Sequence, residues 1–245
     1  MRVVTWNAGR VATGDSVAVA GRLSGEALRD AYVDALSSLT LSLVRLRDNA
    51  IVLGPLTLLR FGEPNITKDA VEWPIEGGLL AREPGGRWRL AASGGRVEAS
   101  LAGYRPRLPR AVYMLTHLQV HQLFTRLYLL RLHGREAAPG MPVKAEDRWR
   151  AAAVDVAFCL TIARVTGRRR LRRTLAIAAA YHVACWSISG RTLGGLVMRQ
   201  RVVAVDGSRL SPAQALFRLT LLPLSWVTRR PIHDEIADTD VIADQ

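Results

Sequence analysis

Residues 88–101 read WRLAASGGRVEASL. Apolar and polar residues alternate on both sides of Gly94-Gly95, the period of a strand with one buried face. Two glycines between such runs supply the positive φ that a tight hairpin turn requires. The stretch therefore predicts an antiparallel hairpin, and its surroundings extend the pattern. IVLGPLTLLRF (51–61), VEWPIEGGLLA (71–81) and RVEASLAGY (96–104) are short strand-like runs. Gly54-Pro55, Gly77-Gly78 and Pro84-Gly85-Gly86 punctuate them. DSVAVAGRL (15–23) alternates in the same way.

Helices bracket this meander. Leu28, Tyr32, Leu36, Leu39, Leu43 and Leu46 recur at three- and four-residue spacing. They predict a helix that begins after the N-cap Ser24 and runs to about Arg47, with Arg45 and Arg47 complementing its dipole. Pro109 opens a second, long helix that stops at Gly134. The expected front half, 1–133, is thus a soluble α+β domain of helix, antiparallel β-meander and long helix. The same order is one way to build a helix-grip fold, whose sheet wraps its last helix around a cavity for a lipid or polyketide. The adopted reading is an α+β domain without such a cavity. The alternative is a lipid-binding or cyclase-like helix-grip module. The opening MRVVTWNAGR has no long apolar stretch and no small-residue cleavage pattern, so the expected place of this domain is the cytoplasm.

Residues 134–147, GREAAPGMPVKAED, read as a linker rich in proline, glycine and polar residues. The expected second domain, 148–245, holds three apolar runs at 151–163, 174–189 and 213–227. A bilayer span needs ~20 apolar residues at ~1.5 Å each. Every run is shorter than that, which fits buried helices as well as tilted or partly inserted ones.

The chain carries a net charge of +13 and a pI of about 11.1. Lys68 and Lys144 are its only lysines, so part of the arginine excess reads as the codon bias of a GC-rich, actinobacterial-style genome. Basicity of this size suits nucleic acid, anionic lipid or a positive-inside membrane protein. The arginines flank apolar runs instead of forming one stripe, so nucleic acid is not expected. Arg164, Arg168, Arg169, Arg170, Arg172 and Arg173 lie between the first two runs. With three spans that loop would face outward, against the positive-inside rule. A shallow hairpin resting its arginines on anionic headgroups, at about 1 kcal/mol each, avoids the conflict.

Three blocks then become specific. RWRAAAVD (148–155) places Arg148 seven residues before Asp155. GRTLGGLVMRQRVVAVDGSRLSPAQALFR (190–218) carries Gly190, Thr192, Gly194, a valine-rich segment, Gly207 and Arg218. RRPIHDEIADTDVI (229–242) carries His233, Asp234, Ala237 and Thr239. In this order they resemble the RDD family, a family of integral membrane proteins, over about residues 147–242. Leu193-Gly194-Gly195 stands where that family usually has Pro-Gly-Lys, and Arg199 where a glycine is common. The resemblance implies a helical region of two to three membrane segments and says little about activity.

Asp155 lies inside the first run, where a mid-bilayer carboxylate costs ~2.5–3.5 kcal/mol unless paired. Arg148, Asp155, Arg218 and Asp234 are the expected membrane polar network: Arg148 lies two helical turns before Asp155 on the same face and is a candidate partner for it, and Asp155 and Asp234 are the candidate partners of Arg218. A structural pairing is preferred to an ion or proton path. Thr192 and Gly194 are expected to shape a turn. His233-Asp234 suggests base catalysis only weakly, because adjacent residues rarely point at each other and no nucleophile motif accompanies them. His117 and His121 share a helix face but lack a third metal ligand, so they are weak metal candidates. Cys159 and Cys185 read as buried thiols.

Together these readings give a non-enzymatic integral membrane protein without a cofactor. It sits in the plasma (inner) membrane, its front domain cytoplasmic and binding a ligand or partner. Its expected partners are the bilayer, including anionic lipids, and a second copy or another membrane protein; the membrane region assembles or carries ions.

Overall fold

The computed structural model describes residues 3–135, 139–165, 171–228 and 230–244, with backbone alone at Val165 and Leu171. Arg168, Arg169 and Arg170 of the basic loop, Arg229, residues 136–138 of the expected linker and the first two residues lie outside the described residues. The chain divides into two compact units, Met1–His133 and Gly134–Gln245.

Unit 1 runs β1 (Val3–Asn7), β2 (Arg10–Ala18), α1 (Gly25–Leu39), β3 (Val44–Arg47), β4 (Ala50–Leu53), β5 (Leu56–Phe61), β6 (Asn65–Ile66), β7 (Ala70–Gly77), β8 (Gly86–Ser93), β9 (Arg96–Tyr104), α2 (Arg110–Leu115) and α3 (His117–His133). Its sheet has the order β1-β2-β9-β8-β7-β5-β4-β3, with β6 pairing β7. All neighbours are antiparallel. The expected hairpin is there: Ser93 pairs with Arg96 around Gly94 (φ 57°) and Gly95 (φ 73°). Alternation sorts the two faces. Trp88, Leu90, Val97, Ala99 and Leu101 are buried, while Arg87, Arg89 and Glu98 face solvent.

Aromatic rings fill the space between sheet and helices. Trp73 and Trp88 pair across β7 and β8. Tyr32 of α1 sits with its ring centre 5.5 Å from one and 5.8 Å from the other. Tyr128 of α3 meets Tyr32 edge-on at 5.6 Å, and its hydroxyl donates to the Leu28 carbonyl at 3.1 Å. Such rings each bury ~150–250 Å² and leave little open volume. A cleft lined by Thr13, Asp15, His121 and Thr125 has room for about one water molecule.

Two helix expectations are corrected. The first helix ends at Leu39, not near Arg47. Thr40 turns it off by donating to the Leu36 carbonyl while accepting from the Val44 N–H. Leu41 (φ 51°) and Ser42 (φ 61°) then take left-handed backbone. Leu43 and Leu46, which continued the helical spacing, lead into and lie on β3. β3 pairs with β4 around Asp48-Asn49, both at positive φ. That dipeptide is itself a hairpin signal. The second helix is broken at Thr116 (φ −122°, ψ −82°), whose hydroxyl bonds back to the Val112 carbonyl. The first long strand is also displaced from 15–23 to Arg10–Ala18 and pairs with an unanticipated β1.

Unit 2 runs α4 (Ala145–Val165), α5 (Leu171–Ile188), α6 (Leu193–Val197), β10 (Gln200–Ala204), α7 (Pro212–Thr228), α8 (Ile232–Ala237) and β11 (Thr239–Ala243). The three apolar runs become α4, α5 and α7. The two strands form an antiparallel ladder that hydropathy alone did not suggest. Among the described residues, no helix is long and apolar enough to cross a membrane.

Candidate functional site

The densest cluster of buried charge in unit 2 centres on Asp234, in the first turn of α8. Arg218 of α7 donates from Nε to Asp234 Oδ1 at 2.9 Å, with Nη2 also 2.9 Å away. The Thr239 hydroxyl at the start of β11 donates to the same oxygen at 2.7 Å. Arg148 of α4 donates to Oδ2. Trp186 of α5 closes the other side, with the Arg218 guanidinium 4.3 Å from its ring centre. One carboxylate thus ties α4, α7, α8 and β11, and its arginine stacks on α5. Burial acts to raise the Asp234 pKa. Arg218, Arg148, His233 and the Thr239 hydroxyl outweigh it and hold the carboxyl well below the usual range.

His233 departs from the expectation that neighbours point apart. Its Nε2 lies 3.4 Å from Asp234 Oδ2, and its Nδ1 lies 2.7 Å from the Ser225 Oγ of α7. Serine, histidine and aspartate therefore stand in a row. The serine is already engaged, because Ser225 Oγ also accepts the His233 backbone N–H at 2.9 Å. All three residues are buried, and the aspartate is neutralised by two guanidiniums. The row ties the start of α8 to α7. Burial, then Arg218, lowers the His233 pKa to about 4, which keeps the ring neutral near pH 7. Arg135 finishes the tie by donating to the Asp234 and Glu235 carbonyls.

Asp155 is not in this cluster, contrary to its expected pairing with Arg148 or Arg218. Its Oδ1 accepts the Tyr181 hydroxyl at 2.8 Å and the Gly194 N–H at 2.9 Å. The physical reason is the free N–H groups at the start of α6, which attract a carboxylate. Thr192 caps the same end, accepting the Gly195 N–H at 3.0 Å, and the Leu193 N–H donates to Tyr181 Oη at 2.7 Å. The small residues have a steric cause. A Cβ on Gly194 would lie 2.0 Å from the Ala151 carbonyl oxygen of α4. Gly190 has φ 76°, and its Cβ would meet the Val202 carbonyl oxygen at 2.6 Å. The Gly-x-Thr-x-Gly motif is the mould in which α6 docks on α4 and β10 begins.

Ser225 and Tyr181 were not singled out from the sequence. Each is one polar group in an apolar run, and no local spacing marks it. The His117 and His121 rings pack edge-on against aromatics, His117 on Tyr104 and Tyr113 and His121 on Trp88. Burial lowers the His121 pKa to about 4. Among the described residues, no group of three or more metal-ligating side chains comes together. Cys159 is buried and Cys185 half-buried, both as free thiols.

Residues 173–237 match the RDD family, so unit 2 carries an RDD family domain. The match spans most of α5 and all of α6, β10, α7 and α8. It takes in Gly190, Thr192, Gly194, Arg218, His233 and Asp234, and leaves Arg148, Asp155 and Thr239 outside it. The N-terminal region is unassigned. No curated protein and no solved structure matches the chain.

Proposed function

We propose that this is a non-enzymatic integral membrane protein. Its RDD unit sits in the bilayer through α4, α5 and α7, and unit 1 is a cytoplasmic domain that docks a ligand or partner. RDD family proteins are typically membrane-associated. The observation that carries the reading is the apolar surface of unit 2. Val156 and Leu160 on α4, Leu175 on α5, and Leu224, Trp226 and Val227 on α7 are all exposed, Val227 by 83%. Water-facing helices keep such positions polar, and patches of this kind mark lipid or protein contact. Because no described helix is long and apolar enough to cross alone, the helices lie tilted or partly inserted, with their arginines at the headgroups. The Asp234 cluster holds these helices together. Both of its oxygens are occupied, which favours a structural network and self-assembly over an ion path.

The test is fractionation of the chain expressed in bacteria. It should stay in the membrane pellet through high-salt and alkaline carbonate washes and leave only with detergent. Release by either wash would refute the integral reading.

The strand order favours a second reading, a lipid-binding helix-grip module held at the membrane. The first hairpin pairs with the last strand, and the last helix packs on the same sheet. That reading requires lipid to co-purify with unit 1, and the aromatic filling of its core weighs against it.

A further inference from the structure

We propose that the cleft under α3 in unit 1 is a binding site for one buried water molecule, which bridges α3 to the sheet. Strand register builds one wall. Asp15 of β2 pairs with Ala99 of β9, and Ala99 pairs with the fully buried Leu90 of β8, so these residues share the face that α3 covers. Thr13 lies two residues before Asp15 on the same strand face. His121 and Thr125, one helical turn apart on α3, form the facing wall. Asp15, Ala99 and Thr125 are the buried floor, and Thr13 and His121 are the half-buried rim.

Thr125 points to the occupant. It is only 5% exposed, and its hydroxyl makes no hydrogen bond within the described residues. Other helical hydroxyls of this chain return to the carbonyl four residues back, as Ser38, Thr161, Ser187 and Thr228 do. Thr125 does not take that route and lines the cleft instead. A buried hydroxyl without a partner is costly, so it calls for one. The cleft has room for about one water molecule, and a buried water needs two to four polar partners. Thr125 supplies one from the helix. The Thr13 hydroxyl and His121 Nε2, 3.3 Å apart, and the Asp15 carboxylate stand around the same space. The charge is balanced: Asp15 Oδ2 lies 3.8 Å from Arg126 Nη1, with both side chains buried. A neutral molecule therefore suits the site better than an ion. A lipid methylene would fill the space and leave the hydroxyl unpaired. The site stands apart from how unit 2 meets the membrane.

The test uses the full chain purified in detergent. A crystal structure of the parent that shows ordered water should place one water within hydrogen-bond distance of Thr125 Oγ1 and of a group on β2. A dry cleft overturns the proposal, and so does density for a larger molecule such as detergent or lipid. Hydrogen exchange of α3 then measures what the water does. Thr125→Val keeps the shape and removes the hydroxyl, and should speed exchange across residues 117–133 by about five-fold. Thr125→Ser keeps the hydroxyl and should stay closer to the parent. Exchange in Thr125→Val equal to or slower than the parent would show that the hydroxyl has no partner in the folded protein, and overturns the proposal. Equal acceleration in Val and Ser would assign the loss to packing around Thr125, and also overturns it. Should Thr125→Val fail to fold, the parent crystal structure alone decides.

Discussion

Arg218 and Asp234 are 2.9 Å apart, and each has only 4% of its side chain exposed. The pair lies sixteen residues apart in sequence, across the junction from α7 to α8. Arg148 joins from α4 with a quarter of its side chain still reaching solvent. The cluster is thus a buried anion held by one fully buried and one partly exposed cation.

This sets the consequence of breaking it. Arg218→Met leaves Asp234 short of its buried cation and should cost about 3–5 kcal/mol, the range for removing one member of a buried pair. Arg218→Lys should recover only part, since a single ammonium cannot replace both Nε and Nη2. The double variant Arg218→Met/Asp234→Leu should lose less than the sum of the two single changes, because no lone buried charge remains. Thermal unfolding of the detergent-purified variants measures all of this. Additive losses would refute the coupling.

The glycines of the Gly-x-Thr-x-Gly motif give a steric prediction. Gly194→Ala forces a methyl to 2.0 Å from the Ala151 carbonyl oxygen, so α6 must move off α4. Overpacking against backbone should cost about 1–3 kcal/mol or more. Gly21→Ala, with nothing within 4 Å, is the comparison and should be close to neutral. Equal melting temperatures for the two variants would contradict the docking of α6.

The contrast between these sites shows what the sequence made legible. The β8–β9 hairpin could be read because its turn glycines and its alternation are local signals that agree. The Asp234 cluster could be read in part. A buried carboxylate and a buried arginine each demand a partner, but sequence does not say which. Asp155 is the example: helical spacing puts Arg148 on its face, while the stronger attraction is the free amide end of α6. The stop of α1 is not legible from spacing alone, because Leu43 and Leu46 fit both a helix and a following strand. The Asp48-Asn49 turn was the deciding signal.

Acid should weaken both units. His121 in unit 1 and His233 in unit 2 have their pKa lowered to about 4, from 6.5, chiefly by burial. The unfolded chain therefore binds protons more readily than the folded one between these values. Stability is full above pH 6.5 and falls as pH drops toward 4, by on the order of 3 kcal/mol for each histidine. Asp234, held below its ordinary 3.8, adds a further loss only below that pH. Melting temperature measured from pH 8 to pH 4 should decline across the histidine window. His121→Phe should flatten that decline for unit 1, and His233→Gln for unit 2. A flat profile in the parent chain would show that neither ring is held neutral by the fold.

Arg199 offers a gain. It sits at φ 49°, in the left-handed region, just after α6, and its carbonyl accepts the Asp244 N–H at 2.8 Å. An L side chain there is strained, while glycine adopts the conformation freely. The backbone bond to Asp244 does not depend on the side chain, so Arg199→Gly keeps it. Relief of strain opposes the larger unfolded-state entropy of glycine. With the strain at about 1 kcal/mol or more, the variant should be neutral to stabilised by up to about 1 kcal/mol. Arg199→Ala removes the same side-chain contacts without relieving φ and should be no more stable than the parent. A glycine variant that melts below the alanine variant would show that relief of the positive φ does not outweigh the unfolded-state entropy of glycine at this turn, and would refute the prediction.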